Sequence, residues 1–399
     1  MYTNMTLPPD VHPKIPQWIP TGPNTTVSLS ELKKKELIAA NSDTDILRMY
    51  TDYLDDDIVV KQPSGNKTVS EDIFKKFENE AEICSALDHD HIVELVDWGK
   101  QPFPWIGFEH MDGGSLSDRI ESISHLEGLW ISVSVADAVW EAHTTGIAHL
   151  DIKPDNILFR RLSNDVWDVP KIGDWGVSKC LFDTAQDSNA LSPRYAAPEQ
   201  FEPEEYESPD NITDIYQLGT VVYEILTAKK IFTGKSVEVM YKHTSKSPTP
   251  PTKVDPTLPA AVDEVLATAL STRRKERYES MLDFRRDLES LFHTVAHDQS
   301  PTLICGRGNT DTTTDHRESE LETVESEVGA EFNDVTANNL GNFGNNTENT
   351  TLWNENADIL EQLDSWAESE RKKEVPWQYR DDPPGMNPKT SSEDENSDK

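Results

Sequence analysis

The 399-residue sequence has few cysteines and no long apolar run. Its three cysteines, Cys84, Cys180 and Cys305, are scattered and show no metal-site spacing. No apolar run approaches the ~20 residues that a membrane-spanning helix needs. Prolines interrupt residues 8–20, where an apolar leader would lie. We therefore predict a cytoplasmic protein with reduced thiols and no membrane attachment.

Positive charge is also scarce. The chain has 37 Lys and Arg residues against 73 Asp and Glu residues, which gives a formal net charge of −36. Nucleic-acid binding needs clustered cations, so we expect no nucleic-acid partner. Two interpretations of the acidity stay open. We favour adaptation to a high-salt cytoplasm, where salt screens the repulsion between surface carboxylates, over an ordinary acidic cytosolic protein.

Large apolar residues become rare after about residue 297. Residues 310–349 are rich in Thr, Asn, Asp and Glu, and such a segment buries too little surface to offset its ordering entropy. We therefore predict that the tail, 294–399, is largely disordered. One exception is a possible short helix at 352–373, where Trp and Leu residues recur at helical spacing. This helix either docks on the folded part or a partner protein, or forms transiently without a partner.

The part before the tail has the pattern of an α+β protein. Residues 1–30 are rich in Pro and Thr and predict an irregular lead-in that packs on the first lobe. Between residues 31 and 99, short strands surround one helix, and helical periodicity dominates from 115 to about 292. The predicted elements of the first part are a strand at 58–60, a helix at 71–87, and strands at 92–98 and 105–111.

Two segments near mid-chain carry a recognisable chemistry. They read HLDIKPDN at 149–156 and KIGDWG at 171–176. Phosphoryl transfer needs a carboxylate that receives the substrate hydroxyl proton, an amide and a second carboxylate that hold Mg²⁺, and a cation near the γ-phosphate. These groups are present in Asp151, Asn156, Asp174 and Lys153. Their spacing matches the pattern H-x-D-x-x-x-x-N followed by D-x-G.

On these motifs, residues 31–293 resemble a eukaryotic-type (Hanks-type) Ser/Thr protein kinase domain of the kind found in bacteria and archaea. The resemblance implies a bilobal α+β fold, with a small β-rich N-lobe at 31–111 and a large helical C-lobe at 112–293. It implies an enzyme that uses ATP and Mg²⁺ to phosphorylate protein substrates. Asp151 and Lys153 would be catalytic, and Asn156 and Asp174 would hold the metal.

The same resemblance implies the nucleotide-binding residues. Lys61 would pair with the α- and β-phosphates, and Glu80 would hold its ammonium group in place. The segment from Phe108 to Leu116 resembles the hinge, in which the Glu109 carbonyl and the Met111 amide would meet adenine.

Further matches lie downstream of the catalytic motifs. Residues 192–199 resemble the end of an activation segment, and Asp214 resembles the residue that braces the catalytic loop. Arg277 would form a structural buried pair with Glu199.

Three departures from the family pattern stand out. No glycine occurs between Gly22 and Gly65, where the family has a phosphate-covering G-x-G-x-x-G loop. The residues near the expected glycine positions are Ser42, Thr44 and Leu47, and we expect their side chains to hold the loop away from ATP. Leu150 replaces an arginine that binds a phosphorylated activation segment. Val59 replaces an alanine over the adenine ring and would crowd it.

Three functions therefore remain. We favour an active Ser/Thr protein kinase, because all six polar catalytic positions are present. The glycine-free loop and Val59 support the alternative of a pseudokinase or scaffold that binds nucleotide weakly or not at all. A small-molecule phosphotransferase shares the H-x-D-x-x-x-x-N loop, but Lys153 and the Ala-Pro-Glu segment at 197–199 argue against it.

Overall fold

The computed structural model describes residues 11–23, 26–40, 44–64, 69–162, 165–180 and 192–299. The predicted α+β bilobal fold is confirmed. The strands are β1 Lys33–Ala40, β2 Thr44–Tyr50, β3 Ile58–Pro63, β4 Leu95–Gly99, β5 Trp105–Glu109, β6 Ile147–Ala148, β7 Ile157–Arg160, β8 Val169–Ile172 and β9 Lys179–Cys180. The helices are α1 Glu71–Ser85, α2 His125–Thr144, α3 Pro198–Phe201, α4 Pro203–Tyr206, α5 Asn211–Thr227, α6 Ser236–Ser245, α7 Pro251–Val254, α8 Ala261–Ala269 and α9 Met281–Gln299.

The N-lobe is built on a five-stranded antiparallel sheet in the order β1-β2-β3-β5-β4. Alternation along β2 and β3 sends Leu47 and Val60, which lie opposite each other, into one apolar cluster. Ile46 lies opposite Lys61 and shares the other face with it. Leu47 is therefore a core residue, and the expectation that its side chain holds the loop away from ATP is wrong. Thr44 begins β2, and Ser42 lies outside the described residues.

Helix α1 begins where its capping chemistry predicts. The Ser70 hydroxyl accepts a hydrogen bond from the Ile73 amide at 3.3 Å, and acidic residues occupy the first turn. Phe77 and Ala81 pack on Ile106 of β5, which fixes the helix against the sheet. The helix ends at Ser85, two residues before the predicted end at 87.

Strand β4 begins later, and strand β5 ends earlier, than the sequence predicts. Residues 92 and 93 do not extend β4, because the Val93 amide donates to the Ile172 carbonyl at 2.9 Å and Ile92 bridges the same residue. These residues therefore pair with β8. Strand β5 ends at Glu109 rather than at 111, since the chain turns there into the segment that connects the lobes.

The C-lobe core forms around α2, α5 and α9. Both α2 and α5 are apolar around most of their circumference and are buried along most of their length. Helix α9 packs against α2 and continues to Gln299, beyond the expected domain end at 293. Within the described ranges, no helix is long and apolar enough to cross a bilayer. The first six residues of the predicted disordered tail, 294–299, are thus helical. The rest of that tail, including the possible helix at 352–373, lies outside the described residues.

Candidate functional site

A half-buried lysine lies at the centre of the cleft between the lobes. Strand β3 places Lys61 so that its Nζ lies 2.7 Å from Glu80 Oε1 on α1 and 3.0 Å from Asp174 Oδ1. Burial alone lowers the pKa of Lys61, but the two carboxylates outweigh it and raise that pKa above its ordinary value. The ammonium group is therefore charged and held at a fixed place in the cleft.

Asp174 completes this cluster from the C-lobe side. Its backbone is left-handed, with φ of 60° and ψ of 68°, a conformation that costs energy for a side chain with a Cβ. The adjacent Lys61 holds the pKa of the Asp174 carboxyl below its ordinary value. About half of the side-chain surface, 49%, stays open to the cleft. Asp174 therefore presents an ionised carboxylate that can bind a cation.

Residues 149–156 form a loop on the floor of the cleft. Lys153 Nζ lies 2.5 Å from Asp151 Oδ2 and donates to the Ser192 hydroxyl at 3.1 Å. The three side chains bring a carboxylate, a cation and a hydroxyl to one spot. Sequence reasoning had not singled out Ser192 as a site residue. The signal was available, because a hydroxyl residue seven positions before Glu199 opens the segment that resembles the end of the activation segment.

The loop is held by one buried carboxylate behind it. Asp214 accepts the His149 amide at 2.8 Å and the Leu150 amide at 2.7 Å, as the resemblance implies. Leu150 has a φ of 63°, and its side chain is buried. The two charge-assisted bonds offset the cost of this left-handed residue. They also direct Asp151 into the cleft.

The C-lobe core is braced by the predicted buried ion pair. Arg277 Nη1 and Nη2 donate to the two carboxylate oxygens of Glu199 at 2.7 and 2.8 Å, and both side chains are fully buried. The pair is bidentate, so it fixes the geometry of the segment 192–199 where it enters α3.

Asn156 is buried beside Asp151. Its Nδ2 donates to the Asp151 carbonyl at 2.9 Å, which leaves the Oδ1 oxygen as a possible metal ligand. Among the described residues, no three His, Cys, Asp or Glu side chains cluster closely enough to hold a metal by themselves. Two oxygen ligands, from Asn156 and Asp174, fit Mg²⁺, which commonly takes one or two protein oxygens and completes its shell with phosphates and water.

The connection between the lobes begins at the end of β5. Val59 lies opposite Phe108 and on the same face as Lys61, so it lines the wall of the cleft. Glu109 follows, with a buried carboxylate that accepts from Lys171 Nζ at 2.6 Å. Met111 lies two residues further on and is partly exposed.

Lys171 is a second residue that sequence reasoning did not assign. It is 2% exposed although it belongs to β8, where all four residues are buried. A lysine in such a strand needs a counter-charge, and this requirement was the available signal. The pair that it forms with Glu109 ties the connecting segment to the C-lobe sheet.

The protein family described as "Protein kinase domain" matches residues 46–285. The serine/threonine-protein kinase PknB of Mycolicibacterium smegmatis is 30% identical over 258 residues, which covers 62% of this chain and 40% of that protein. The probable serine/threonine-protein kinase PknB of Bifidobacterium longum is 31% identical over 239 residues, covering 55% and 34%. The chain therefore aligns with about 40% of the length of the curated relatives it matches.

Solved structures share the fold. The PknI kinase domain of Mycobacterium tuberculosis is similar with a TM-score of 0.51 at 21% identity, and it covers 66% of this chain and 98% of that domain. A double mutant of the same domain gives a TM-score of 0.52 at 20% identity. At this identity the likeness shows the shared fold.

Proposed function

Because this chain belongs to the protein kinase family, we propose that it transfers the γ-phosphoryl group of ATP to Ser and Thr hydroxyls of protein substrates. The observation that carries the proposal is the convergence of two charged clusters in one cleft. Lys61, Glu80 and Asp174 form the first, and Asp151 with Lys153 forms the second. Phosphoryl transfer depends mainly on positioning and on charge stabilisation, and these clusters supply both.

We propose separate roles for the members of the second cluster. Asp151 orients the substrate hydroxyl and accepts its proton. Lys153 neutralises charge on the transferred group, and its contact with the Ser192 hydroxyl keeps the ammonium group between the carboxylate and the substrate-side segment. The lysine two residues after Asp151 supports Ser/Thr rather than Tyr specificity, because this position follows the Ser/Thr pattern of the family.

The first cluster and the connecting segment would hold the nucleotide. Lys61, kept in place by Glu80, would contact the α- and β-phosphates, while the Glu109 carbonyl and the Met111 amide would bind the adenine edge. Asn156 and Asp174 would hold Mg²⁺, which neutralises charge on the phosphates when bound. The lowered pKa of Asp174 supports this role, because it keeps the carboxylate ionised.

One alternative retains a specific observation in its favour. A pseudokinase or scaffold with weak nucleotide binding is supported by Val59, which lines the cleft beside Phe108, and by the absence of glycine from 23–64. A small-molecule phosphotransferase is less supported, because Lys153 contacts Ser192 and Arg277 pairs with Glu199. Both contacts belong to the protein-substrate architecture.

Radiolabelled ATP and matched Ser, Thr and Tyr acceptor peptides separate these functions. We expect label in the Ser and Thr peptides, little in the Tyr peptide, and none with the Asp174→Ala variant. Nucleotide binding without transfer, in protein with an intact melting transition, would favour the pseudokinase.

We also propose a cytoplasmic setting at high salt. The excess of acidic residues supports the high-salt part of this proposal. The buried free thiol of Cys84 supports the cytoplasmic part. Activity should then be higher in molar KCl than in 0.1 M KCl, and an optimum at low salt would contradict the high-salt part.

The tail supports a further proposal, that residues 352–373 form a helix that docks on the folded part or on a partner protein. The apolar spacing of Trp353, Leu360, Leu363 and Trp366 supports it. Hydrogen exchange on the full-length chain tests it. Protection at 352–373 that disappears in a variant with both tryptophans changed to alanine would support docking on the folded part.

A further inference from the structure

The sequence predicted that the lead-in packs on the N-lobe. In the structure it contacts both lobes. We call residues 11–32 the N-terminal strap; positions 24 and 25 within it lie outside the described residues. Its first part is anchored in the C-lobe. Ile15 is 2% exposed and belongs to the C-lobe core. The Lys14 carbonyl accepts the Trp167 amide at 2.8 Å, and the His12 ring stacks on the Trp167 ring at 4.8 Å.

The last part of the strap is anchored in the N-lobe. Val27 is 3% exposed, and its amide donates to Asp97 Oδ2 at 2.8 Å. Leu32 is 8% exposed and shares the N-lobe cluster with Leu47 and Trp105. The strap, which continues covalently into β1, is thus held to the C-lobe by non-covalent contacts and forms a second link between the lobes, in addition to the segment that follows β5.

The middle of the strap touches the segment that connects the lobes. The Gly22 amide donates to Glu94 Oε2 at 2.6 Å. A Cβ added at Gly22 would lie only 2.9 Å from the Glu109 Cβ, so the strap backbone is in close contact with the start of that segment. The backbone at Gly22 is not left-handed, so a glycine is not required there for its φ angle. Glycine is required because a larger side chain would collide with Glu109.

Three hydrogen bonds, two to Glu94 and one to Lys171, fix the position of Glu109. Its amide donates to the Glu94 carbonyl at 3.0 Å, and its carboxylate accepts the Glu94 amide at 2.8 Å and Lys171 Nζ at 2.6 Å. Glu94 therefore contacts Glu109 through its backbone and Gly22 through its side chain. A change in the strap at Gly22 would reach the connecting segment directly and also through Glu94.

We propose that Gly22 and Glu94 are positioning residues for the nucleotide site. The strap, anchored in both lobes, fixes the backbone of residues 109–111 in the arrangement that binds adenine. This inference rests on the proposed binding of ATP by that backbone. A preorganised adenine contact lowers the ordering cost of binding, which matters here because the β1–β2 connection has no glycine that lets backbone approach the phosphates closely.

The test is a Gly22→Ala variant of the full-length protein. Its methyl group would push on Glu109, so we expect the KM for ATP to rise roughly tenfold, since misplacement by about 1 Å far from the chemistry costs up to 10²-fold. The kcat at saturating ATP should stay within about twofold. The matched control is Trp18→Ala, because Trp18 lies on the same strap with 66% of its surface exposed, and it should leave both constants unchanged.

A second pair of variants separates positioning from simple loss of stability. Glu94→Gln keeps an oxygen that accepts the Gly22 amide and should retain the wild-type KM, whereas Glu94→Ala should raise it as Gly22→Ala does. Unchanged KM values in both Gly22→Ala and Glu94→Ala would overturn the proposal. A similar rise in the Trp18→Ala control would also overturn it.

Hydrogen exchange at the amides of 109–111 gives a readout that needs no nucleotide. These amides should exchange faster in Gly22→Ala than in the wild type and in Trp18→Ala. Equal exchange in all three proteins would overturn the positioning role. If the wild type binds no ATP while exchange at 109–111 still responds to Gly22, the proposed function fails and the strap's control of this segment stands.

Discussion

Asp151 owes its orientation to backbone contacts made by its neighbours. The amides of His149 and Leu150 donate to the buried Asp214, and the Asn156 side chain donates to the Asp151 carbonyl. Removing the carboxylate leaves these contacts in place, although it frees Lys153 from its ion pair. A substitution at this residue tests chemistry rather than folding.

Asp151→Ala should lower kcat by roughly 10²–10⁴, the usual contribution of a general base. The affinity for nucleotide should change little, because the residue makes no expected contact with adenine or with the α- and β-phosphates. Steady-state kinetics with a peptide substrate and calorimetry with an ATP analogue measure the two effects. Wild-type turnover in the variant would remove the proposed role.

Val59 is a second residue whose effect can be isolated. It is half-buried on the cleft face of β3, opposite Phe108. If its methyl groups crowd the purine, Val59→Ala should lower the KM for ATP by up to roughly tenfold, because overpacking costs about 1–3 kcal/mol. Val59→Ile keeps an apolar β-branched side chain and should not lower the KM. A higher KM in Val59→Ala would show that valine makes a favourable contact.

At the scale of elements, the loop at 149–156 is held by side chains from helices α3 and α5. The Leu150 carbonyl accepts from the side-chain amides of Gln200 and Gln217 at 2.9 and 3.0 Å. Neutral amides thus fill the surroundings of the residue that replaces the family's arginine. No guanidinium from position 150 is present to bind a phosphorylated activation segment.

Phosphorylation of the activation segment should therefore be unnecessary for activity. Thr184 and Ser188 are the expected modified positions, and both lie outside the described residues. Alanine at both positions should leave the specific activity of the purified protein within a few fold. A loss of two orders of magnitude would show that another cation binds a phosphate there.

The elements that sequence reasoning located best are those with a strong local signal. Helix α1 has a capping serine and an acidic first turn, and β3 is a short apolar run between turn residues. The start of β4 could not be located, because residues 92 and 93 are apolar in either arrangement and pair with Ile172 from a distant part of the chain. Long-range pairing of this kind leaves no periodic signal.

In the site, too, some residues could be predicted from the sequence and others could not. The structure brings Lys61 together with Glu80 and Asp174, and Asp151 with Lys153, which the spacing of the motifs and the family resemblance had singled out. Ser192 and Lys171 were not assigned, although both contact assigned residues. The role of each depends on which side chain lies opposite in the folded chain, and this is set by packing rather than by spacing.

At the scale of the whole molecule, contacts outside the segment that follows β5 also link the two lobes. The strap links them through Ile15 and Val27. Arg160 at the end of β7 adds a further contact, because it donates to the His110 carbonyl at 2.8 Å and to Asp56 Oδ2 at 2.7 Å. These contacts depend on which distant residues meet in the folded chain, which is why the sequence predicted the two lobes but not the links between them.

The central claim, that this cleft transfers phosphate from ATP with the help of Mg²⁺, is tested most directly with Asp174→Asn. The variant keeps the size of the side chain and removes its charge. Mg²⁺ titration by calorimetry in the presence of an ATP analogue, followed by a transfer assay on the same samples, measures both functions. We expect metal-dependent nucleotide binding and transfer to be lost together. Identical titrations and equal transfer in the wild type and the variant would contradict the account.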